Sequence, residues 1–190
     1  MNKIIGILGM QGAIAEHQEI LLQIPHTKTR IVKTAKDLDC IDGLILPGGE
    51  STAIGKLLDY FSLKEILRQK IISGLPVFGT CAGLILLAKN IENQTNTHLA
   101  TMDITVKRNG YGSQLDSFST NLLIPTIDKN MPIPLVFIRA PYITKTDKDV
   151  QILATLDNKI IAARQKNMLV SSFHPELTCD LRFHQYFLSM

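Results

Sequence analysis

Tryptophan is absent from the 190 residues, and Phe and Tyr bring the aromatic share to only 6%. A platform that stacks nucleic-acid bases needs aromatic faces, so that class of binding is not expected. Cysteine is scarce: Cys40, Cys81 and Cys179 are the three, with no CxxC spacing. An odd count without that spacing argues against a disulfide framework and against a structural zinc site. Histidine stands at 17, 26, 98, 174 and 184 with no HExxH pair, so no metal is expected. Charge of one sign is also lacking, since 20 Lys and Arg face 17 Asp and Glu for a net +3. That balance is not one that selects a polyanion, and no nucleic-acid partner is expected. Long hydrophobic runs are missing too. Ile4 to Met10 is too short to span a bilayer, and the polar Gln11 and Glu16-His17-Gln18-Glu19 follow it without a small-residue cleavage pattern. The chain is therefore expected in the cytoplasm and away from membranes.

What is present is a globular composition, with 45% hydrophobic and 19% charged residues. The length suits one domain, 1–190, with a full core. No linker, internal repeat or low-complexity tract interrupts it. Apolar runs at Lys3 to Gly9, Thr29 to Lys33, Gly43 to Leu46 and Pro76 to Phe78 read as buried strands. Between and after them, Ala13 to Ile24, Ser51 to Tyr60, Ser62 to Ile72 and Ala82 to Lys89 read as helices. Ser62 is the expected N-cap of the third, with Glu65 as its capping-box partner. Alternation of this kind implies a parallel sheet with helices on both faces.

The second half changes to short β-rich runs: Asp103 to Lys107, Thr120 to Ile124, Leu135 to Ile138, Val150 to Leu156, Lys159 to Arg164 and Met168 to Ser172. Asp157-Asn158 reads as a hairpin turn, so some of these strands are expected to be antiparallel. A helix over Thr178 to Leu188 closes the chain. The expected fold is an α/β three-layer open sheet, mostly parallel with an antiparallel extension.

Three segments carry chemistry. Gly79-Thr80-Cys81-Ala82-Gly83 links a buried strand to an apolar helix with the spacing of a nucleophile elbow, Cys standing in place of Ser. A cysteine at a helix start has N–H groups nearby that favour a thiolate and can hold an oxyanion. The alternative is a small buried Cys in a tight packing turn. His174-Pro175-Glu176 follows another apolar strand, and extended backbone would place His174 and Glu176 on one side. The carboxylate could then bond one imidazole nitrogen and leave the other for a thiol. A strand-end histidine beside a solvated glutamate is the alternative. Pro47-Gly48-Gly49-Glu50-Ser51-Thr52 also lies between strand and helix, and its glycines allow close backbone approach to an anionic ligand. The alternative there is a turn with Ser51 as N-cap. All three lie beyond the carboxyl ends of predicted strands, the edge where open α/β sheets bind ligands. Cys40 and Cys179 read as structural, and His17, beside Glu16, as solvated or partner-facing.

With these stretches in hand the chain resembles the triad-type, class I glutamine amidotransferases. More narrowly, it resembles the glutaminase subunits of pyridoxal 5′-phosphate synthases. The resemblance runs in order through Gly6 to Gly12, Gly43 to Thr52, Phe78 to Leu84, Lys107-Arg108-Asn109, Gln114 to Phe118, Phe137 to Pro141 and Ser172 to Thr178. It implies Cys81 as nucleophile, His174 as base and Glu176 as its orienter. It implies glutamine contacts from Gly49, Glu50, Ser51, Arg108, Ile138 and Arg139. Gln11 and Gly48 would serve the oxyanion site and the partner interface. It further implies L-glutamine as substrate, no cofactor, and a hetero-oligomer with a TIM-barrel synthase subunit that receives the ammonia. Other readings are a glutaminase for another synthase, a non-catalytic regulatory subunit on the same fold, and a cysteine peptidase or esterase.

Overall fold

A computed structural model describes residues 2–110 and 117–190. Gln114 to Asp116, part of one motif above, lie outside the described residues. The first half follows the expected alternation: β1 (Lys3–Leu8), α1 (Ile14–Leu22), β2 (Thr27–Val32), β3 (Gly43–Leu46), α2 (Ser51–Tyr60), α3 (Lys64–Ile72), β4 (Val77–Thr80) and α4 (Ala82–Leu87). The second half supplies β5 (Ala88–Ile91), β6 (Met102–Lys107), β7 (Ser117–Leu122), β8 (Ile133–Ile138), β9 (Tyr142–Thr146), β10 (Gln151–Leu156), β11 (Lys159–Gln165), β12 (Met168–Ser171) and α5 (Arg182–Leu188).

Among the described residues, one sheet runs β2-β1-β3-β4-β12-β11-β9-β6-β5, with β10 paired to β11 and a separate β7-β8 hairpin. The pairs from β2 through β12 are parallel, and β12-β11, β11-β9 and β9-β6 are antiparallel. The β10–β11 hairpin turns at Asp157 and Asn158, both at positive φ (49° and 62°), as a two-residue primed turn requires. Side chains alternate across the central strands. Leu44, Leu46, Val77 and Val170 face one layer with Ile54, Leu58 and Leu67. Ile45, Phe78 and Leu169 face the other with Leu21, Phe183 and Phe187. Every one of these is fully or nearly fully buried. This is the period of two that buries both faces of a parallel sheet.

Four local expectations are corrected. Ser62 is not the cap of α3. It sits at φ 54°, in the tight reversal after α2, and Leu63 holds the cap position without a side-chain bond. Capping by a side chain needs extended backbone at that residue. Glu65 instead accepts a bond from Gln69 Nε2 at 2.6 Å. The helix at Ala82 ends at Leu87, and Ala88 turns extended (φ −62°, ψ 134°) to begin β5. All six residues of α4 are buried, so periodicity carried no signal for its end. Strands β5 and β9 were not anticipated. The last helix starts at Arg182 rather than Thr178, because Thr178 and Asp180 side chains accept the Asp180 and Arg182 backbone N–H groups and build a turn first.

Candidate active site

Strands β1, β3, β4 and β12 lie side by side and point the same way. Their carboxyl ends therefore deliver Gln11, Gly48-Gly49, Cys81 and His174 to one edge. Cys81 occupies the sharp turn between β4 and α4 at φ 49°, ψ −98°, a strained backbone for a non-glycine residue. Such outliers cost on the order of 1–3 kcal/mol and persist only where surroundings enforce them. The enforcement is close packing: a Cβ on Gly79 would lie 2.6 Å from the Gly83 backbone, and one on Gly83 would overlap the Leu46 carbonyl. The Cys81 N–H donates to Ser171 O at 2.8 Å, tying the elbow to β12. That N–H is therefore committed, and the free donors at the elbow begin with the Ala82 N–H, in the first turn of α4.

Beyond β12 the chain turns through a short helical turn, Pro175–Leu177, and His174 N–H donates to Val136 O of β8 at 2.8 Å. This turn, rather than strand alternation, brings His174 and Glu176 together. His174 Nδ1 meets Glu176 Oε1 at 2.7 Å, and both residues are buried. The other ring nitrogen is left for Cys81. Burial alone would lower the His174 pKa, but hydrogen bonds and charge from Cys81 and Glu176 outweigh it and lift the value to about 10. Burial pushes the Glu176 carboxyl up. The neighbouring His17, then the hydrogen bond and charge of His174, more than offset this, so Glu176 stays below its ordinary value.

A cleft of about 650 Å³ opens over this edge. Gln11, Gly48, Gly49, Glu50, Ser51, Cys81, Arg108, Ile138, Arg139 and His174 all line it, and Glu176 stands behind His174 outside the lining. A side chain at Gly48 would overlap the His174 ring and lie 3.5 Å from Cys81 Cβ, so the close approach needs glycine. Gly48 O accepts the Ala13 N–H at 3.0 Å, and Gln11 Oε1 accepts the Glu50 N–H at 2.8 Å. The loop after β1 thus holds the loop after β3.

The cap of α2 is Glu50 and not Ser51: the Glu50 carboxylate accepts the Thr52 and Ala53 N–H groups at 3.1 and 2.5 Å. The same carboxylate pairs with Arg108 Nη2 at 3.0 Å, and Arg108 Nη1 donates to Thr52 Oγ1 at 3.2 Å. Burial raises the Glu50 pKa, but those N–H groups, the Thr52 hydroxyl and Arg108 bring the net shift below the ordinary value.

 Ser51 opens the helix fully buried, and its hydroxyl has no hydrogen-bond partner among the described residues. Ile138 O lies 4.0 Å from Cys81 Sγ, and the exposed Arg139 follows at φ 43°.

Sequence reasoning missed a buried group behind the triad. His17 is fully buried rather than solvated, and it touches Thr80, His184 and Glu176. Its place at helical spacing with Ile14, Leu21 and Ile24 was the available signal. Thr52, the second anchor of Arg108, was missed as well. Cys40 and Cys179, read as structural, are both exposed. Among the described residues no three His, Cys, Asp or Glu side chains cluster as metal ligands would, and no helix is long and apolar enough to cross a membrane.

The parallel sheet whose β1, β3, β4 and β12 ends bring Gly48-Gly49, Cys81 and His174 to one cleft has the fold of the class I glutamine amidotransferases. The chain belongs to the SNO glutamine amidotransferase family, whose profile matches residues 7–190. It is 53% identical over 188 residues to the pyridoxal 5′-phosphate synthase subunit PdxT of Ruminiclostridium cellulolyticum, covering 99% of both chains. It is 55% identical to the PdxT subunit of Carboxydothermus hydrogenoformans, covering 97% of this chain and 95% of that one. A crystal structure described as a glutamine amidotransferase superimposes with a TM-score of 0.90 at 39% identity, covering 97% of each chain. PurLQS from Thermotoga maritima shares the fold alone, with a TM-score of 0.70 at 14% identity, covering 100% of this chain and 99% of that one.

Proposed function

We propose that Cys81, His174 and Glu176 are the catalytic triad through which this chain hydrolyses L-glutamine. The chain is a glutaminase, the glutamine-hydrolysing subunit of a pyridoxal 5′-phosphate synthase. The Cys81 thiolate attacks the side-chain amide carbon, and the oxyanion is held by N–H groups of the Ala82 and Gly48-Gly49 segments. The C–N bond breaks as His174 gives its proton to the leaving nitrogen, which departs as ammonia. A His174 that stays protonated at neutral pH suits that role. Water then attacks the glutamyl thioester, His174 takes up its proton, and glutamate leaves with the thiol restored. Glu176 orients the ring and stabilises its charged form.

Glutamine is held by the cleft lining. Ser51 lines that cleft at the start of α2, which supports a substrate contact there. Gly49, Glu50, Arg108, Ile138 and Arg139 complete the pocket for its polar end, Arg108 being pre-set by Glu50 and Thr52. Gln11 and Gly48 tune the oxyanion site. No cofactor takes part in this step. The ammonia passes to a separate TIM-barrel synthase subunit in a hetero-oligomer, and the work is done in the cytoplasm. Residues 1–190 act as one glutaminase domain.

The observation that carries this reading is the 2.7 Å His174–Glu176 contact in a cleft that also holds the strained Cys81. The test is Cys81→Ala mixed with a competent synthase subunit. Glutamine-dependent pyridoxal phosphate formation is expected to fall by several orders of magnitude, with ammonium salts restoring it. Undiminished glutamine turnover would make the elbow a structural turn, and failure of ammonium to support synthesis would refute the division of labour.

A further inference from the structure

Behind the triad, three helices and strands converge on a buried polar chain that the mechanism above does not use. Glu176 Oε1 serves His174, but Oε2 is buried with no hydrogen-bond partner among the described residues. Leaving a carboxylate oxygen buried and unmet is costly. The group nearest to meeting it is His17 Nε2, from α1, at 3.5 Å. The same nitrogen lies 3.1 Å from Thr80 Oγ1, at the end of β4. On its far side His17 Nδ1 lies 3.1 Å from His184 Nε2, from α5. His184 Nδ1 has no partner among the described residues.

These contacts select the tautomers. Burial keeps both His17 and His184 below their ordinary pKa values, so each carries one ring proton. If His17 carried it on Nδ1, His184 Nε2 would have to accept, and its own proton would sit on the partnerless Nδ1 as a buried orphan donor. His17 Nε2 would then turn a lone pair toward the Glu176 carboxylate. The opposite assignment removes both faults. His184 Nε2–H donates to His17 Nδ1, and His17 Nε2–H is shared between Thr80 Oγ1 and the Glu176 side. The one unmet atom left on the rings is then a His184 lone pair, cheaper to bury than an N–H.

We propose that His17 is a positioning residue of the glutaminase, its Nε2–H facing Glu176 Oε2 and its tautomer fixed by His184. The inference rests on the triad reading above. By supporting Oε2, His17 keeps Glu176 ionised and leaves Oε1 aimed at His174 Nδ1. Among the described residues, the titratable groups around Glu176 are His174 on its own turn, Cys81 at the head of α4, His17 on α1 with Glu16 beside it, and His184 on α5. His17 lies outside the cleft lining, so it is not expected to touch glutamine.

Two amides separate this role from mere filling of space. A Gln side chain at 17 can place its NH₂ near the imidazole Nε2 position, whereas Asn reaches only the Nδ1 position. In the complex with the synthase, His17→Asn is expected to lower kcat for glutamine by about ten- to a hundred-fold with KM changed less than about two-fold. His17→Gln is expected to recover most of that loss. Equal turnover of the Gln and Asn variants would overturn the proposal, whether both are active or both are damaged. A second readout does not depend on turnover. In ¹⁵N-histidine spectra of the wild-type chain at neutral pH, His17 and His184 are expected as neutral Nε2–H tautomers, and a His17 Nδ1–H tautomer would overturn the assignment. A wild-type complex that hydrolyses no glutamine would instead count against the glutaminase reading, leaving the spectra to judge His17 alone.

Discussion

At the scale of single residues, the site trades backbone comfort for placement. Cys81 is held at φ 49° by packing that leaves no room on either side, and the thiol is aimed into the cleft as a result. Once the thiol is gone, the strain serves nothing, which makes it measurable. Ala at 81 keeps a Cβ and hence the strain, whereas Gly adopts that φ at little cost. Relief of about 1–3 kcal/mol exceeds the roughly 0.4–1 kcal/mol that Gly loses through unfolded-state entropy. Cys81→Gly is therefore expected to melt at a higher temperature than Cys81→Ala. Thermal unfolding in the reverse order would mean that the elbow stores no strain. Residue-level legibility was uneven for a physical reason. Cys81 sits in a short segment whose spacing reports its geometry, and His174 and Glu176 are near neighbours in sequence, although a helical turn and not extended backbone joins them. His17, Thr80 and His184 come from α1, β4 and α5, and only tertiary packing makes them neighbours.

At the scale of elements, a short strap connects the surface to His174. Arg182, at the start of α5, donates to Asp128 Oδ2 at 2.8 Å, and to Met131 O and Pro132 O at 2.9 Å each. Asp128 also accepts the Asn130 and Met131 N–H groups at 2.8 and 3.0 Å. The strap fixes the entry to β8, and Val136 of β8 accepts the His174 N–H. Those backbone bonds, then Arg182, hold the Asp128 pKa near about 2, below its ordinary 3.8. A carboxylate depressed in this way stabilises the fold above its unfolded pKa, and the contribution fades as pH falls from about 4 toward about 2. Asp128→Asn is expected to lose stability at neutral pH and to show a shallower further loss across that acid window than the wild type. Melting curves at several pH values check this, and parallel acid profiles would show that the strap carries no linkage. None of it was legible beforehand, since Asp128 and Arg182 are 54 residues apart. Elements with their own signal were read well: α2 runs from Ser51 to Tyr60 as expected, and β3 from Gly43 to Leu46. Strand β9 was missed because Ile143, its second residue, is its one fully buried apolar position, too little for a strand pattern.

At the scale of the whole molecule, the arrangement of the sheet makes the Gly48-Gly49 side of the Cys81 cleft depend on a surface loop. The Gly48-Gly49 segment is held by two bonds, Ala13 N–H to Gly48 O and Glu50 N–H to Gln11 Oε1. Both partners belong to the loop between β1 and α1, where Gln11 and Gly12 are exposed. Glycine peptides reorient at small steric cost, so a protein docking on that loop can change which backbone groups face Cys81 without disturbing the core. A glutaminase that ran unassisted would release ammonia with no acceptor, a loss that gating by docking on that loop would prevent. The buried His174–Glu176 pair does not depend on that loop in the same way, because it is fixed by β12, β8 and its own turn. Basal and stimulated activity should therefore respond differently to the loop. Gln11→Ala is expected to lower synthase-stimulated turnover by about ten-fold or more, the range seen when one oxyanion-site element is weakened, while changing the basal rate far less. Glutamate release at saturating glutamine, measured with and without the synthase subunit, reads both rates. Equal wild-type turnover in the two conditions, or an equal loss in both for Gln11→Ala, would place the control of this enzyme somewhere other than the loop after β1.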